Sequence, residues 1–435
     1  MDIQVAKLRE VLGLLKPVVP RKSSLPILTN VLLGNGQAVA TDLETMVIIP
    51  VPEADDSFLL PYADVISMLQ FTQGGETLHI EGKDGSVIMS WSEGKNSFPS
   101  KDAKEFPVLA EFVPVAEASL DGDILIPAMV SVLPYAATET NRPVLNGVTL
   151  EMGEPFQVAA GDGFRMAYQV VPLSFPKNVT AIVRLGSVGV LHHLWERTPR
   201  TPPSSSDSLI PVLMAKKQVS VAFDGKERLK FVFGKAATAV IKLVEGSPPS
   251  FVKLIPKDEP ILQSQMMAAE LQLAVRRALK VAKGGSNIIR MVFDDSTVTI
   301  SAAGDGQIIE SQVRTLSIKG APNRVGLSAE YLLDYLKGKE GIVTMTWTGK
   351  MTPIMFQHQK NPRVLIMPMV VQWETPLPGE SQPEAEAVPP APEKPSDEVK
   401  TPKTPITEPV TSAKVSPKTA KPSKHRGKTN KKKKV

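Results

Sequence analysis

The stretch Val158-Ala-Ala-Gly-Asp-Gly-Phe-Arg-Met-Ala167 decides the fold, because it has counterparts in Val39-Ala-Thr-Asp-Leu-Glu44 and in Ile300-Ser-Ala-Ala-Gly-Asp-Gly306. Each copy closes a strand with a turn of small residues centred on an aspartate, Asp42, Asp162 or Asp305, and an apolar alternating strand follows. Aspartate bonds its own nearby backbone and favours such turns, whereas a catalytic acid is needed once per site rather than once per repeat. The three aspartates therefore read as turn residues, and one structural unit is used three times.

The flanks of the three copies carry the same message. Before the turns, apolar residues recur at three-to-four-residue spacing: Val5, Leu8, Val11, Leu12 and Leu15; then Met129, Val132, Leu133 and Ala136; then Leu271, Val275, Ala278 and Leu279. After them come the helical patterns of residues 61–71, 184–195 and 328–337, so each unit carries two helices. Between the helices the period changes to two, as in Val219-Ser-Val-Ala-Phe223, Leu229-Lys-Phe-Val-Phe233 and Val343-Thr-Met-Thr-Trp347. Such runs bury one face only, which suits antiparallel sheets, and the class is α+β.

At 435 residues the chain has room for about three domains of ordinary size. Pro-rich or Gly-rich crossings around residues 112–123 and 257–260 set the expected boundaries: 1–117, 118–257 and 258–372, followed by a tail, 373–435. Residues 198–207, with their Pro and Ser cluster, read as a surface loop inserted in the middle domain. No stretch approaches 20 uninterrupted apolar residues and the N-terminus lacks a signal peptide's pattern, so a soluble cytosolic protein is expected. Cysteine is absent, which excludes disulfides, thiolate metal sites and thiol catalysis.

The net charge of +5 is unevenly placed. From Trp373 onward there are 13 Lys/Arg and 8 Asp/Glu, leaving 37 of each sign in residues 1–372. The tail is Pro, Thr, Ser, Ala and charge, so it is expected to stay disordered. Its first part is acidic (Glu380, Glu384, Glu386, Glu393, Asp397, Glu398), and residues 414–434 hold ten basic residues and no acid. A flexible basic arm seeks phosphate, and the plain alternative is a solubilising tail with no partner.

Nothing nominates an enzyme. There is no phosphate loop ending in Lys-Ser/Thr, no nucleophile elbow and no His-Glu-x-x-His. His192 and His193 are adjacent, so on a helix they point about 100° apart and do not share a metal-binding face. Binding chemistry is better represented. Phe164 and Met166 alternate with Arg165, and Val364-Leu-Ile-Met-Pro-Met369 is a second apolar run rich in the adaptable thioether. From spacing alone both read first as ordinary core strands. Basic residues cluster on the first helices and the links after them: Lys7, Arg9, Lys16, Arg21 and Lys22 in the first unit, Arg276, Arg277, Lys280 and Lys283 in the third. In a neutral body that clustering polarises the surface.

These residues carry a resemblance. Arg21-Lys-Ser-Ser-Leu-Pro-Ile-Leu28, Ala40-Thr-Asp-Leu-Glu44, Arg142-Pro-Val-Leu-Asn-Gly147, Gly161-Asp-Gly-Phe-Arg-Met166, Pro249-Ser-Phe-Val-Lys-Leu-Ile-Pro256 and Met367-Pro-Met369 fall in order across all three units. With the threefold repeat, they make the chain resemble the β subunit of bacterial DNA polymerase III, the sliding clamp. The resemblance implies three clamp domains, each with two helices packed on antiparallel sheets, and a ring-shaped head-to-tail homodimer with helices lining the hole. It implies a DNA sliding clamp, a processivity factor without its own catalytic site. Such a clamp encircles duplex DNA without reading sequence and tethers the replicative polymerase. Helices that cross the duplex without entering a groove contact it electrostatically, so sliding stays cheap.

The partners so implied are double-stranded DNA, a second copy, the DNA polymerase III alpha subunit, the clamp loader and other proteins bearing clamp-binding motifs. No cofactor, metal or membrane is implied, and the address is cytoplasmic, associated with the nucleoid. Carried over by position, the partner-peptide pocket comprises Leu145, Gly163, Phe164, Met166, Pro249, Lys253, Leu254, Pro353, Met367, Pro368 and Met369. The DNA-binding set comprises Arg21, Lys22, Lys7, Arg9, Arg142, Arg276, Arg277 and Lys280. Phe164 stands where members of the family often have His, and Lys253 where Arg is common. The tail has no counterpart in the family pattern. These departures and the neutral body leave an alternative: a divergent clamp-like interaction hub not loaded on replicating DNA.

Overall fold

In the computed structural model, residues 1–83, 85–108, 110–139, 141–199, 217–359 and 362–372 are described. The expected loop after Pro199 and the whole tail lie outside these residues. The element order is one series used three times. The first copy is β1 (Asp2–Gln4), α1 (Val5–Leu15), β2 (Asn30–Gly34), β3 (Gln37–Thr41), β4 (Thr45–Pro50), β5 (Phe58–Pro61), α2 (Tyr62–Leu69), β6 (Thr77–Lys83), β7 (Ser86–Trp91) and β8 (Gly94–Pro99). The second is β9 (Ala116–Asp121), α3 (Gly122–Val132), β10 (Gly147–Met152), β11 (Phe156–Gly161), β12 (Arg165–Val171), β13 (Val179–Arg184), α4 (Leu185–Arg197), β14 (Gln218–Phe223), β15 (Arg228–Phe233) and β16 (Ala237–Lys242). The third is β17 (Leu262–Met267), α5 (Ala268–Ala282), β18 (Ile288–Phe293), β19 (Thr297–Gly304), β20 (Gln307–Gly320), β21 (Asn323–Ser328), α6 (Ala329–Leu336), β22 (Ile342–Trp347), β23 (Ile354–His358) and β24 (Arg363–Ile366).

The sequence pattern explains the series. In α1, Val5, Leu8, Leu12 and Leu15 are buried; in α5 the corresponding offsets hold Ala268, Leu271, Val275 and Ala278, also buried. One face of each first helix is thus committed to the sheet beneath it. Strands alternate in the same sense, as in β15, where Leu229, Phe231 and Phe233 are buried between partly exposed neighbours. None of the described helices is long and apolar enough to cross a membrane.

All strand pairs are antiparallel, and the sheets run on from one copy to the next. β4 pairs with β3 of its own copy and with β16 of the second, Thr45 opposite Ile241 and Met46 opposite Val240. β12 likewise pairs with β11 and with β24 of the third, Met166 opposite Leu365 and Tyr168 opposite Arg363. The results are an eight-stranded sheet, β5-β2-β3-β4-β16-β15-β14-β9, and a twelve-stranded one containing β10 to β13 and all of the third copy. The remaining sheet, β1-β6-β7-β8, has only four strands and ends on β8. Side chains reinforce the first junction: Arg184 pairs with Glu44 at 2.9 Å, and the Thr45 and Ser187 hydroxyls bond at 2.7 Å.

The three aspartate turns occupy equivalent hairpins, β3–β4, β11–β12 and β19–β20, but not in identical form. Asp42 Oδ1 accepts the N–H groups of Glu44 and Thr45, and Asp162 Oδ1 those of Phe164 and Arg165. The third hairpin has the same length, with six residues between Ala302 and Ile309 as between Ala40 and Val47 or Ala160 and Ala167, but its aspartate stands one position later. There Asp305 and Gly306 form a two-residue turn with φ of 49° and 74°, the left-handed pair that matches strand twist.

Candidate functional site

The β11–β12 turn positions the site. Gly163 takes φ 97°, a backbone conformation that favours glycine, and the end of the exposed Arg142 side chain lies 3.0 Å from where a Cβ would stand. This throws Phe164 to the surface, 56 % exposed, while its carbonyl accepts the Met367 N–H at 2.8 Å. The next side chain goes the other way. Arg165 bonds Asp162 at 3.1 Å, Asp334 of α6 at 2.7 Å and the Pro134 carbonyl at 3.3 Å, and lies 4.4 Å over the Tyr331 ring. Burial alone would lower the pKa of this guanidinium, but the hydrogen bonds to Asp334 and Asp162 outweigh that and hold it above its ordinary value. Arg165 thereby latches the second copy to the third directly behind the turn.

Removing that latch leaves Asp162 and the Pro134 carbonyl without their partner, while half-exposed Asp334 regains water. Arg165→Ala is therefore expected to lower unfolding free energy by about 2 kcal/mol, less than a fully buried pair would lose. Denaturant titration reads this directly, and an unchanged midpoint would contradict the latch.

In front of the turn, the outer face of the β12–β24 ladder carries its own apolar cluster, separate from the main core: Ala159, Met166, Tyr168, Phe251 and Leu365, edged by Ile255 and Met355. The link between the second and third copies crosses this face as a single turn, Phe251–Leu254, with Phe251 buried as its anchor. Beside the crossing opens a cleft of about 410 Å³. Of the residues expected there, Leu145, Gly163, Phe164, Met166, Pro249, Leu254, Pro353 and Met367 line it. Lys253, Pro368 and Met369 do not. Lys253 is exposed on the crossing turn, and Met369 is drawn away by donating its N–H to the Gly326 carbonyl at 2.8 Å. Gly161, Arg165, Phe251 and Leu365 complete the lining. Leu365 was accessible to strand alternation, two residues before Met367; Phe251 needed the path of the link, which no local pattern specifies.

The cleft is an apolar groove with backbone donors and acceptors already consumed, so it suits side-chain anchors of an extended segment rather than strand addition. It holds no acid-base pair. Among the described residues, no group of three or more His, Asp or Glu could hold a metal ion. His193 instead bonds the Gly13 carbonyl at 2.8 Å, tying α4 to α1, and His192 stacks on Trp195.

The basic residues divide. Lys7 is held by Glu53, and Arg9 donates to the carbonyls of Leu69 and Thr72 at the end of α2, so neither stands free. Arg21, Lys22, Arg276, Arg277 and Lys280 are exposed. Arg142 is exposed as well, but at the rim of the cleft beside Gly163. α2 and α3 contain no basic residue.

Comparison with known proteins bears on most of the chain. Residues 252–370 match the family described as DNA polymerase III beta subunit, C-terminal domain. The beta sliding clamp of Caulobacter vibrioides is 25 % identical over 355 residues, covering 77 % of this chain and 89 % of that one. That of Staphylococcus aureus is 21 % identical over 377 residues, covering 82 % and 94 %. In fold, the chain is similar to the DNA polymerase III subunit beta of Pseudomonas aeruginosa, with TM-score 0.75 at 20 % identity over 85 % of this chain and all of that one. The beta subunit of Thermotoga maritima gives TM-score 0.73 at 19 % identity over 85 % and 99 %.

Proposed function

We propose that the chain, whose residues 252–370 match the DNA polymerase III beta subunit family and which is similar to beta sliding clamps over most of its length, is a DNA sliding clamp that closes around duplex DNA as a head-to-tail homodimer and tethers the replicative polymerase and other partners. Its three clamp domains are residues 1–117, 118–257 and 258–372. The proposed partners are the polymerase III alpha subunit, the clamp loader and proteins with apolar linear motifs that enter the cleft at Phe164.

The observation that carries this reading is an unfinished symmetry. Within the chain, the third strand of each four-strand run accepts the last strand of the following copy, β4 with β16 and β12 with β24. By that rule the Gln307–Arg314 half of β20, which has β19 on one side only while the half from Thr315 to Gly320 pairs with β17, requires a β8, and β8, at the end of its sheet, is the last strand left over. Only a second chain can supply it. Two chains that each offer β8 to the other's β20 make a closed ring of six repeats.

The register can be carried over too. Placing Gln307 where Thr45 and Arg165 stand, and core residue Phe98 where Ile241 and Ile366 stand, sets Ile308 opposite Ser97 and Glu310 opposite Lys95. The charges of the last pair are complementary. The unmatched ends also expose apolar side chains: Phe71 just after α2 is 88 % exposed, Ile308 on β20 82 % and Leu273 on α5 50 %. A folded surface leaves such residues open where another surface covers them.

A second reading, an interaction hub not loaded on DNA, has support in the engagement of Lys7 and Arg9 and the lack of cations on α2 and α3. Retention on circular DNA separates the two. A clamp stays on a nicked circle in salt that abolishes ionic binding and is lost when the circle is cut, because topology rather than affinity holds it. Equal retention on circle and linear DNA, or none on either, would remove the clamp reading.

A further inference from the structure

The face that floors the apolar cleft continues into a second one. Met166 and Leu365 oppose each other under the first; two residues along the same ladder, Tyr168 and Arg363 oppose each other under a neighbouring cleft of about 610 Å³. The two floors are therefore about 7 Å apart, the length of two extended residues. The Phe251–Leu254 turn crosses between them, with Phe251 and Leu254 lining the first and Val252 and Ile255 the second.

Their chemistry differs. The first cleft is apolar, whereas Lys257 and Arg363 are the ionised groups of the second, both are exposed, and no carboxylate lines it. Neither cation makes an ion pair among the described residues. The Tyr168 hydroxyl donates to Gln157 Oε1 at 2.8 Å and is already satisfied. Burial raises its pKa, the Glu151 carboxylate adds to the rise and the Arg363 guanidinium opposes it, so both charges act on that hydroxyl.

We propose that the second cleft is a carboxylate subsite. It takes Asp or Glu side chains that lie two or three residues beyond the apolar anchors of a partner's linear segment, with Arg363 offering its planar fork and Lys257 a second charge. The proposal rests on the first cleft being a peptide groove. It makes charge next to the motif, rather than the motif alone, a determinant of which partner binds.

The test uses the full chain and two peptides with the same apolar anchors, one flanked by two glutamates and one by two glutamines, in fluorescence anisotropy at moderate salt. The glutamate peptide is expected to bind about five- to tenfold tighter, the range for a partly exposed charge-assisted contact. Arg363→Gln with Lys257→Gln should bring the two peptides to within about twofold of each other and leave the glutamine peptide's affinity unchanged, since neither side chain lines the apolar cleft. Equal binding by the unaltered protein, or a preference that survives in the double variant, overturns the subsite. If neither peptide binds, the groove reading fails and the subsite with it. If deleting residues 380–435 strengthens binding of the glutamate peptide alone, the occupant is the chain's own acidic stretch from Glu380 to Glu398, and assignment to a partner is wrong.

Discussion

Exchanging Leu273 for aspartate is expected to turn a dimer of two 47.0 kDa chains into a folded monomer. The packing of second helices on first helices is the reason. Within the chain, α4 of the second copy meets α1 of the first through His193 and the Gly13 carbonyl, and α6 of the third is tied to the chain just beyond α3 through Arg165 of β12, which bonds Asp334 and the Pro134 carbonyl and lies over Tyr331. In the proposed ring the same arrangement would set α2 of one protomer against α5 of its partner and bring Phe71 and Leu273, both exposed in the single chain, into the interface. A carboxylate there loses its water without gaining a partner, a cost of about 3 kcal/mol at each of the ring's two junctions, or roughly ten-thousandfold in the dimer dissociation constant. Because Leu273 is half exposed within the chain, the fold itself has little to lose. Sedimentation equilibrium at about ten micromolar should report one chain's mass with an unchanged circular dichroism spectrum, and Phe71→Asp should do the same. A variant that remains dimeric would show that this surface is not the interface.

Met367→Asp is expected to weaken binding of an apolar-anchored peptide by roughly thirtyfold, about 2 kcal/mol. Met367 stands at the mouth of the cleft, with its backbone fixed by the Phe164 carbonyl and its side chain partly exposed. A charge at that point repels the anchors the cleft would bury, yet can itself turn to water in the free protein. Leu254→Asp, on the opposite wall, should have a similar effect, and the thermal midpoint of both variants should stay close to that of the parent. Unchanged peptide affinity in both would mean that partners bind elsewhere.

Much of this arrangement was legible in the sequence because it is local. Three-to-four-residue apolar spacing marked the six described helices, although α3 runs from Gly122 to Val132 and so leaves Leu133 and Ala136 of the expected pattern beyond its end, and the Asp-Gly-Phe-Arg-Met stretch marked the turn that presents Phe164. The third aspartate turn differs in form because Asp305 stands one position later in a hairpin of the same length, and so itself takes the left-handed backbone position that Leu43 and Gly163 take elsewhere.

What could not be read depends on distant partners. Lys7 and Arg9 look like free surface cations on a helix until the fold brings Glu53 and the end of α2 to them, across 46 and 60 residues or more. Lys253 lies next to Leu254, and Met369 two residues from Met367, yet neither lines the cleft: one is exposed on the crossing turn and the other is bound through its backbone to Gly326. The pairing of β4 with β16 and of β12 with β24 is equally non-local. It is also what exposes the leftover edges on which the ring reading stands.

The absence of cysteine gives that reading its most direct test. Ser97→Cys and Ile308→Cys put one pair of thiols across each proposed β8–β20 junction, at positions that the register sets directly opposite, about 5 Å apart between Cβ atoms. The doubly substituted protein is mixed with nicked circular DNA while reduced, then oxidised and exposed to denaturant. The account predicts a covalent dimer that remains on the circle through denaturation and is released when the circle is cut. Failure of the thiols to join, or release by denaturant from the oxidised circle as readily as from linear DNA, would contradict it.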